Sequence, residues 1–255
     1  QVAPARGAVA SGRRRPTGGI GPTLSVSRKA GRQMRIAFIS DIHARYARLD
    51  AVLADIQRVG ADEIICLGDV ATMGDGPRKV IDRLRDLGCR CIQGNHDEFL
   101  LTPGLVREVY ACFPAVCDDV ERRAEEFTDD ELDYLRSFVP SLRIAMPGGS
   151  ELLAFHGTPD SNSGMILSTT GDAELDAAFE GHTADVMIGG HTHEQMVRRY
   201  SDMLIVNAGS VGMAWKLPFD GWDRGCPSIA PWAEYAIVQA DVGSVGVELR
   251  RVSCD

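Results

Sequence analysis

Three short apolar runs separated by two amphipathic segments limit what residues 35–93 can become. Arg35–Ser40 (RIAFIS), Glu63–Leu67 (EIICL) and Cys89–Gln93 are too short for buried helices and are bounded by polar residues, so each is expected as a buried strand. Between the first two, Leu49, Val52, Leu53, Ile56 and Val59 recur at helical spacing until Gly60 supplies a stop. Pro77 opens a second helix with Val80, Ile81, Leu84 and Leu87 on one face and Gly88 at its end. The order β-α-β-α-β predicts three parallel strands covered by helices, an α/β fold. Residues 98–139 carry no strand pattern and are expected as a helical excursion, with Thr128-Asp-Asp-Glu131 as a capping box ahead of a helix through Phe138. Then come seven expected strands, Leu142–Ala145, Glu151–Phe155, Val186–Ile188, Met196–Tyr200, Met203–Val206, Tyr235–Gln239 and Gly246–Val252. Pro147-Gly148-Gly149 and Ser201-Asp202 read as hairpin turns, and one helix is expected near Asp172–Phe179.

Composition removes several functions. No apolar run approaches the roughly 20 residues of a membrane helix, so a membrane-spanning protein is not expected. Aromatics at 6% do not favour a base-stacking platform. Residues 1–33 hold seven Lys/Arg and no acidic residue, whereas the remainder carries 20 basic against 36 acidic side chains, a net of −16. A body that acidic repels long nucleic acids and is compatible with cations. The first 33 residues lack apolar periodicity and read as a disordered basic tail or an appended upstream extension, with an Arg-rich transit peptide as the alternative. A single folded domain is expected over 34–255. Seven cysteines with no CxxC pair suggest reduced thiols and a cytoplasmic protein.

The polar residues that follow the strands carry the chemistry. Asp41-Ile42-His43 follows the first strand, Gly68-Asp69 the second and Gly94-Asn95-His96-Asp97 the third. His156-Gly157 follows Glu151–Phe155, and Gly190-His191-Thr192-His193 follows Val186–Ile188. Ligands of open α/β sheets bind beyond the carboxyl ends of strands, so five such clusters converge on one rim. Five of the six histidines fall in them, together with Asp41, Asp69 and Asn95. Imidazole with carboxylate is a ligand set for transition metals rather than for calcium or magnesium. His182 lies outside every cluster and reads as a surface or helix-end histidine.

This ordered set resembles the calcineurin-like metallophosphoesterase superfamily. Ser40-Asp-Ile-His43 and Asn207-Ala-Gly-Ser-Val-Gly212 are similar to its small prokaryotic phosphodiesterase-like branch. The resemblance implies a four-layer α/β/β/α sandwich of two mixed sheets flanked by helices. It implies two divalent transition-metal ions, of Mn, Fe, Zn, Ni or Co, in a dinuclear centre. Carried over, Asp41, His43 and His193 hold the first metal, Asn95, His156 and His191 the second, and Asp69 bridges them. His96 stands beside the reacting phosphate as general acid or electrostatic clamp, and Asp97 either orients it or serves as a turn or capping residue.

The implied function is a phosphoric ester hydrolase, a phosphodiesterase that opens a small phosphodiester or nucleotide by attack of a metal-held hydroxide. A non-catalytic scaffold or a metal-binding regulatory protein on the same fold is the alternative. The chain departs from the protein phosphatases, which carry Asp-Arg-Gly shortly after the bridging Asp and Glu in place of Asp97; here Val70-Ala-Thr-Met-Gly74 follows Asp69. Arg45 stands where the branch often has Asn and is expected as a solvated surface residue, with contact to a substrate phosphate as the alternative. The Lys216–Trp232 loop is open between shaping the substrate pocket and merely connecting, and the 98–139 excursion among a cap over the site, an oligomer contact and plain packing. No oligomer signature stands out.

Overall fold

A computed structural model describes residues 33–217 and 227–254. The basic segment expected as a tail and the middle of the Lys216–Trp232 loop lie outside these described residues.

Strand β1 (Met34–Ile39) alternates its side chains between two cores. Ala37 and Ile39 meet the helices α1 (Tyr46–Val59) and α2 (Pro77–Asp86), whereas Ile36 and Phe38 face a second sheet. Burial on both faces explains why the run reads as continuously apolar rather than alternating. β2 (Glu63–Cys66) and β3 (Arg90–Cys91) follow in parallel, as expected from the β-α-β-α-β order. β3 is shorter than the expected Cys89–Gln93; just past it Ile92 N–H still donates to Cys66 O of β2, and on its other side Ile92 forms an isolated bridge with Val139.

The sheet is completed by β9 (Trp232–Asp241), antiparallel to β1, and by β10 (Ser244–Ser253), antiparallel to β9, giving the order β10-β9-β1-β2-β3. Asp55 on α1 accepts hydrogen bonds from Tyr235 Oη (2.7 Å) and Arg250 Nε (2.8 Å), which tie that helix to the hairpin beneath it.

The second sheet has the order β4-β5-β6-β8-β7, built from β4 (Ser141–Ala145), β5 (Glu151–Phe155), β6 (Val186–Gly189), β7 (Met196–Tyr200) and β8 (Met203–Asn207). Its hairpins turn at Pro147–Gly149 and Ser201-Asp202, the two expected positions. Along β5, Leu152 and Ala154 face the first sheet, whereas Leu153 and Phe155 pack under α7 (Asp172–Ala178). Three cores therefore separate four layers of helix, sheet, sheet and helix.

The helical excursion starts earlier than residue 98. Asn95 is already the first residue of α3 (Asn95–Leu101), so the Gly94-Asn95-His96-Asp97 motif is itself a helix N-terminus. α4 (Gly104–Val109), α5 (Pro114–Glu126) and α6 (Asp129–Arg136) follow. The capping box is present: Glu131 N–H donates to Thr128 Oγ1 at 3.3 Å, and Thr128 N–H donates to Glu131 Oε2 at 2.8 Å.

Candidate metal centre

The loops after β1, β2, β3, β5 and β6 meet at one edge of the sandwich. Backbone bonds zip the first two together: Asp41 N–H to Gly68 O, His43 N–H to Asp69 O and Ala44 N–H to Val70 O. The turns are tight enough that Asp41, His43, Asp69, His191 and His193 all adopt positive φ, between 47° and 67°. Asp and His are among the few non-glycine types that tolerate this region. The glycines beside them permit contact between loops: a Cβ on Gly190 would overlap Ser40 Oγ and lie 2.7 Å from Asp41 Oδ2.

Two groups of ligand atoms result, each within 4.8 Å internally: Asp41, His43 and His193, and Asp69, His156 and His191. Asn95 joins the second group, with Oδ1 3.2 Å from His156 Nε2. The seven residues singled out as metal ligands are thus brought together, drawn from both sheets. One oxygen of each carboxylate is held by backbone. Asp69 Oδ1 accepts from His96 N–H at 2.8 Å, and Asp41 Oδ2 accepts from His191 N–H at 3.0 Å. The other oxygens face the imidazoles. Asp69 Oδ2 is 3.4 Å from His156 Nε2 and 3.8 Å from His43 Nε2. Asp41 Oδ1 is 3.2 Å from His193 Nε2 and 3.9 Å from His156 Nε2. Both carboxylates therefore lie between the two groups, not Asp69 alone.

The donor chemistry fits cations. A carbonyl only accepts, so the contacts of His156 Nδ1 with Leu67 O (2.7 Å) and of His193 Nδ1 with Met213 O (3.0 Å) place protons on Nδ1 and make each Nε2 the ring atom turned to the site. Asp41 Oδ1 is buried and has no hydrogen-bond partner, an expensive arrangement unless positive charge compensates it.

Burial, together with the neighbouring His193, pushes His43 well below the usual imidazole range. Burial also lowers His96, and with the nearby His156 it brings His191 down to about 4. His156 goes the other way. Its burial opposes the charge, but Asp69 and Asp41 outweigh it and raise the group to about 10. Asp41 is likewise buried, yet the adjacent His193 holds it at about 2. Two buried carboxylates draw what positive charge they can, and most of the imidazoles stay neutral and able to ligate.

Asp97 differs from its expected catalytic place. Its carboxylate accepts from three backbone groups, Asp69 N–H (2.8 Å), Gly94 N–H (2.9 Å) and Val70 N–H (3.0 Å), and makes no hydrogen bond to the His96 ring. Of the two expected roles, the capping one matches these contacts: Asp97 clamps the loop after β2 to the start of α3. Each buried donor left unpaired costs about 1–3 kcal/mol. Asp97→Ala is therefore expected to lower unfolding free energy in urea by about 3 kcal/mol or more, and a stability within about 0.5 kcal/mol of wild type would remove this role.

The His96 ring is held by Thr72 Oγ1 at its Nδ1 (3.2 Å), by the edge of Phe99 (5.5 Å between centroids) and by Tyr110 (5.6 Å). Tyr110, Phe113 and Val116 come from the helical excursion and, with Met73, Met165, Met213 and Trp215, line an apolar wall over the ligands. The enclosed volume is about 120 Å³. Trp215 stacks on His193 at 4.7 Å, and its Nε1–H donates to Thr192 O. None of these apolar residues carries a sequence signal, because a single apolar side chain reads as core wherever it falls. The excursion thus forms one wall of the cleft.

Asn207 holds the His191-Thr192-His193 turn through Gly190 O and Thr192 Oγ1, and Ser210 Oγ donates to Asp41 O. This accounts for the Asn207–Gly212 motif. Arg45 is half-buried rather than surface-exposed, with its Nε unpaired. His182 stands apart, 2.9 Å from Asp160.

Residues 34–219 match the model of the calcineurin-like phosphoesterase superfamily domain, and the chain belongs to that superfamily. Its structure is similar to that of a metallophosphoesterase from Sphaerobacter thermophilus, with 24% identity, a TM-score of 0.60 and coverage of 86% of this chain and 88% of that one. It is also similar to a hypothetical protein from Pyrococcus horikoshii OT3, with 17% identity, a TM-score of 0.71 and coverage of 87% and 89%. A protein of Methanocaldococcus jannaschii described as uncharacterized is 47% identical over 62 residues, which span 24% of this chain and 26% of that relative. Among the described residues no helix is long and apolar enough to cross a membrane.

Proposed function

We propose that the protein is a phosphodiesterase that uses two divalent cations. Asp41, His43 and His193 would hold one, Asn95, His156 and His191 the other, with Asp69 between them. The observation that carries the reading is the unpaired Asp41 Oδ1, buried among imidazole nitrogens whose other ring atoms are already committed to carbonyls. Bound divalent cations supply Lewis-acid stabilisation of phosphate charge and lower the pKa of water.

The chain's own residues do the rest. His96 faces the cleft and is placed to give a proton to the departing oxygen. The wall of Tyr110, Phe113, Met165 and Trp215 excludes water and receives an ester arm. No Lys or Arg is among the described residues that line the cleft. That lining suits the single negative charge and two arms of a diester better than the double charge of a monoester.

The test compares bis(p-nitrophenyl) phosphate with p-nitrophenyl phosphate after chelation and after Mn²⁺ is returned. The expected result is loss of turnover on chelation, recovery with Mn²⁺, and a diester rate at least about tenfold above the monoester rate, a difference of about 1.4 kcal/mol. Faster monoester turnover overturns the diesterase assignment, and unchanged activity in the metal-free protein overturns the metal assignment.

A further inference from the structure

Thr72 is fully buried, and its hydroxyl sits between two rings: Oγ1 is 3.2 Å from His43 Nδ1 and 3.2 Å from His96 Nδ1. These are its two side-chain hydrogen bonds among the described residues. A hydroxyl has one hydrogen to give, so it donates to one ring nitrogen and accepts from the other. The two histidines therefore cannot choose their tautomers independently.

On its far side, His43 Nε2 lies 3.1 Å from His193 Nε2. His193 Nδ1–H donates to Met213 O, and His193 Nε2 also lies 3.2 Å from Asp41 Oδ1, a carboxylate oxygen that can only accept. That nitrogen has a proton to give to Asp41, so without a cation nothing confines the His43 proton to one ring nitrogen. The Thr72 hydrogen can then point to either ring, and His96 can carry its proton on either nitrogen.

If His43 Nε2 serves as a metal ligand, one arrangement remains. The His43 proton is on Nδ1 and is donated to Thr72 Oγ1. Thr72 donates to His96 Nδ1, and the His96 proton stands on Nε2, at the cleft.

We propose that Thr72 is a positioning residue that relays metal occupancy at His43 into the tautomer of His96, so that ligation of the first cation fixes the His96 proton on the nitrogen that serves the cleft. The inference rests on the proposed function through one assumption, that Asp41, His43 and His193 bind a cation. Val70-Ala-Thr-Met-Gly74 gains a role by it, since Thr72 lies in the stretch that departs from the protein phosphatases.

The experiment records ¹⁵N–¹H multiple-bond spectra of histidine-labelled protein, metal-free and saturated with diamagnetic Zn²⁺, with His96 assigned by comparison with His96→Gln. In wild type, His96 is expected to sharpen from an averaged pattern of its two tautomers to the Nε2–H pattern on Zn²⁺ addition. Thr72→Ser is expected to behave the same way. In Thr72→Val, His43 and His193 still respond to Zn²⁺, while His96 shows one unchanged or averaged pattern.

Activity supplies a second readout. Thr72→Val saturated with metal is expected to lose about 30-fold in kcat/KM on a diester with a phenol leaving group and less than about threefold with p-nitrophenol, because the better leaving group needs little proton donation. If His96 ignores Zn²⁺ in wild type, is doubly protonated in the Zn²⁺ form, or follows Zn²⁺ equally in Thr72→Val, the relay is wrong. If His43 and His193 themselves do not respond to Zn²⁺, the cation assignment fails first and the relay with it.

Discussion

Asp69→Asn is expected to reduce bound metal from two ions to one or none and to lower diester turnover by about a thousandfold or more, roughly 4 kcal/mol of transition-state stabilisation. The substitution is nearly isosteric. An amide oxygen can still accept from His96 N–H, as Asp69 Oδ1 does now, so the start of α3 keeps its anchor. What changes is the other side. Asp69 Oδ2, between His156 Nε2 and His43 Nε2, is replaced by an amide NH₂ that carries no charge and cannot ligate. Two cations close together need a shared negative group to offset their repulsion, and its loss is felt at both sites. Metal content by elemental analysis and rates on bis(p-nitrophenyl) phosphate measure the two effects, and circular dichroism shows whether the fold persists. Two bound ions together with near-normal turnover in Asp69→Asn would show that Asp69 does not bridge.

Gly190→Ala is expected to act through the backbone and to be the more damaging change. The new Cβ would overlap Ser40 Oγ, sit 2.8 Å from Ser40 Cβ and 2.7 Å from Asp41 Oδ2, and none of these atoms has room to retreat, since Ser40 and Asp41 are fully buried. Gly190 lies just after β6 in the second sheet, and Ser40 just after β1 in the first. Relief therefore requires the two loops to separate, which stretches the bond from His191 N–H to Asp41 Oδ2. Overpacking of a tight core costs about 1–3 kcal/mol, and loss of a charge-assisted hydrogen bond adds to it. The expected outcome is a drop of at least about 3 kcal/mol in urea unfolding, with metal affinity and turnover lost even where the protein still folds. A Gly190→Ala variant with wild-type stability and metal content would show that the loops yield freely.

Much of this site was legible because the strand-end motifs combine two local signals, a short apolar run and a glycine-flanked His or Asp. Those signals place Asp41, Asp69, Asn95 and five of the histidines just beyond strand ends without knowledge of the sheet order. The parts that were not legible depend on distant partners. Asp97 reads as a companion of His96 because it is next in sequence, yet its carboxylate turns back to Asp69 and Val70. Thr72 has no local pattern, and only the approach of two rings from different loops gives it significance. Tyr110 and Trp215 look like core residues because they are apolar, and their place in the cleft follows from where the excursion and the stretch just after β8 bring them against the loops. Strand lengths shifted for the same reason. β9 and β10 extend beyond their apolar patches because they pair with each other over their full lengths.

The positive φ angles of five candidate ligands carry one more consequence. At each of these positions the residue best suited to the backbone is glycine, which is free of the roughly 1–2 kcal/mol that a side chain adds in this region. A lineage that ceased to need chemistry could exchange Asp41, His43, Asp69, His191 or His193 for glycine and relieve local strain while it lost the cation. Selection for turnover and selection for folding thus pull in opposite directions at the same codons. Drift from hydrolase toward inert scaffold runs downhill on this architecture, and the return is uphill.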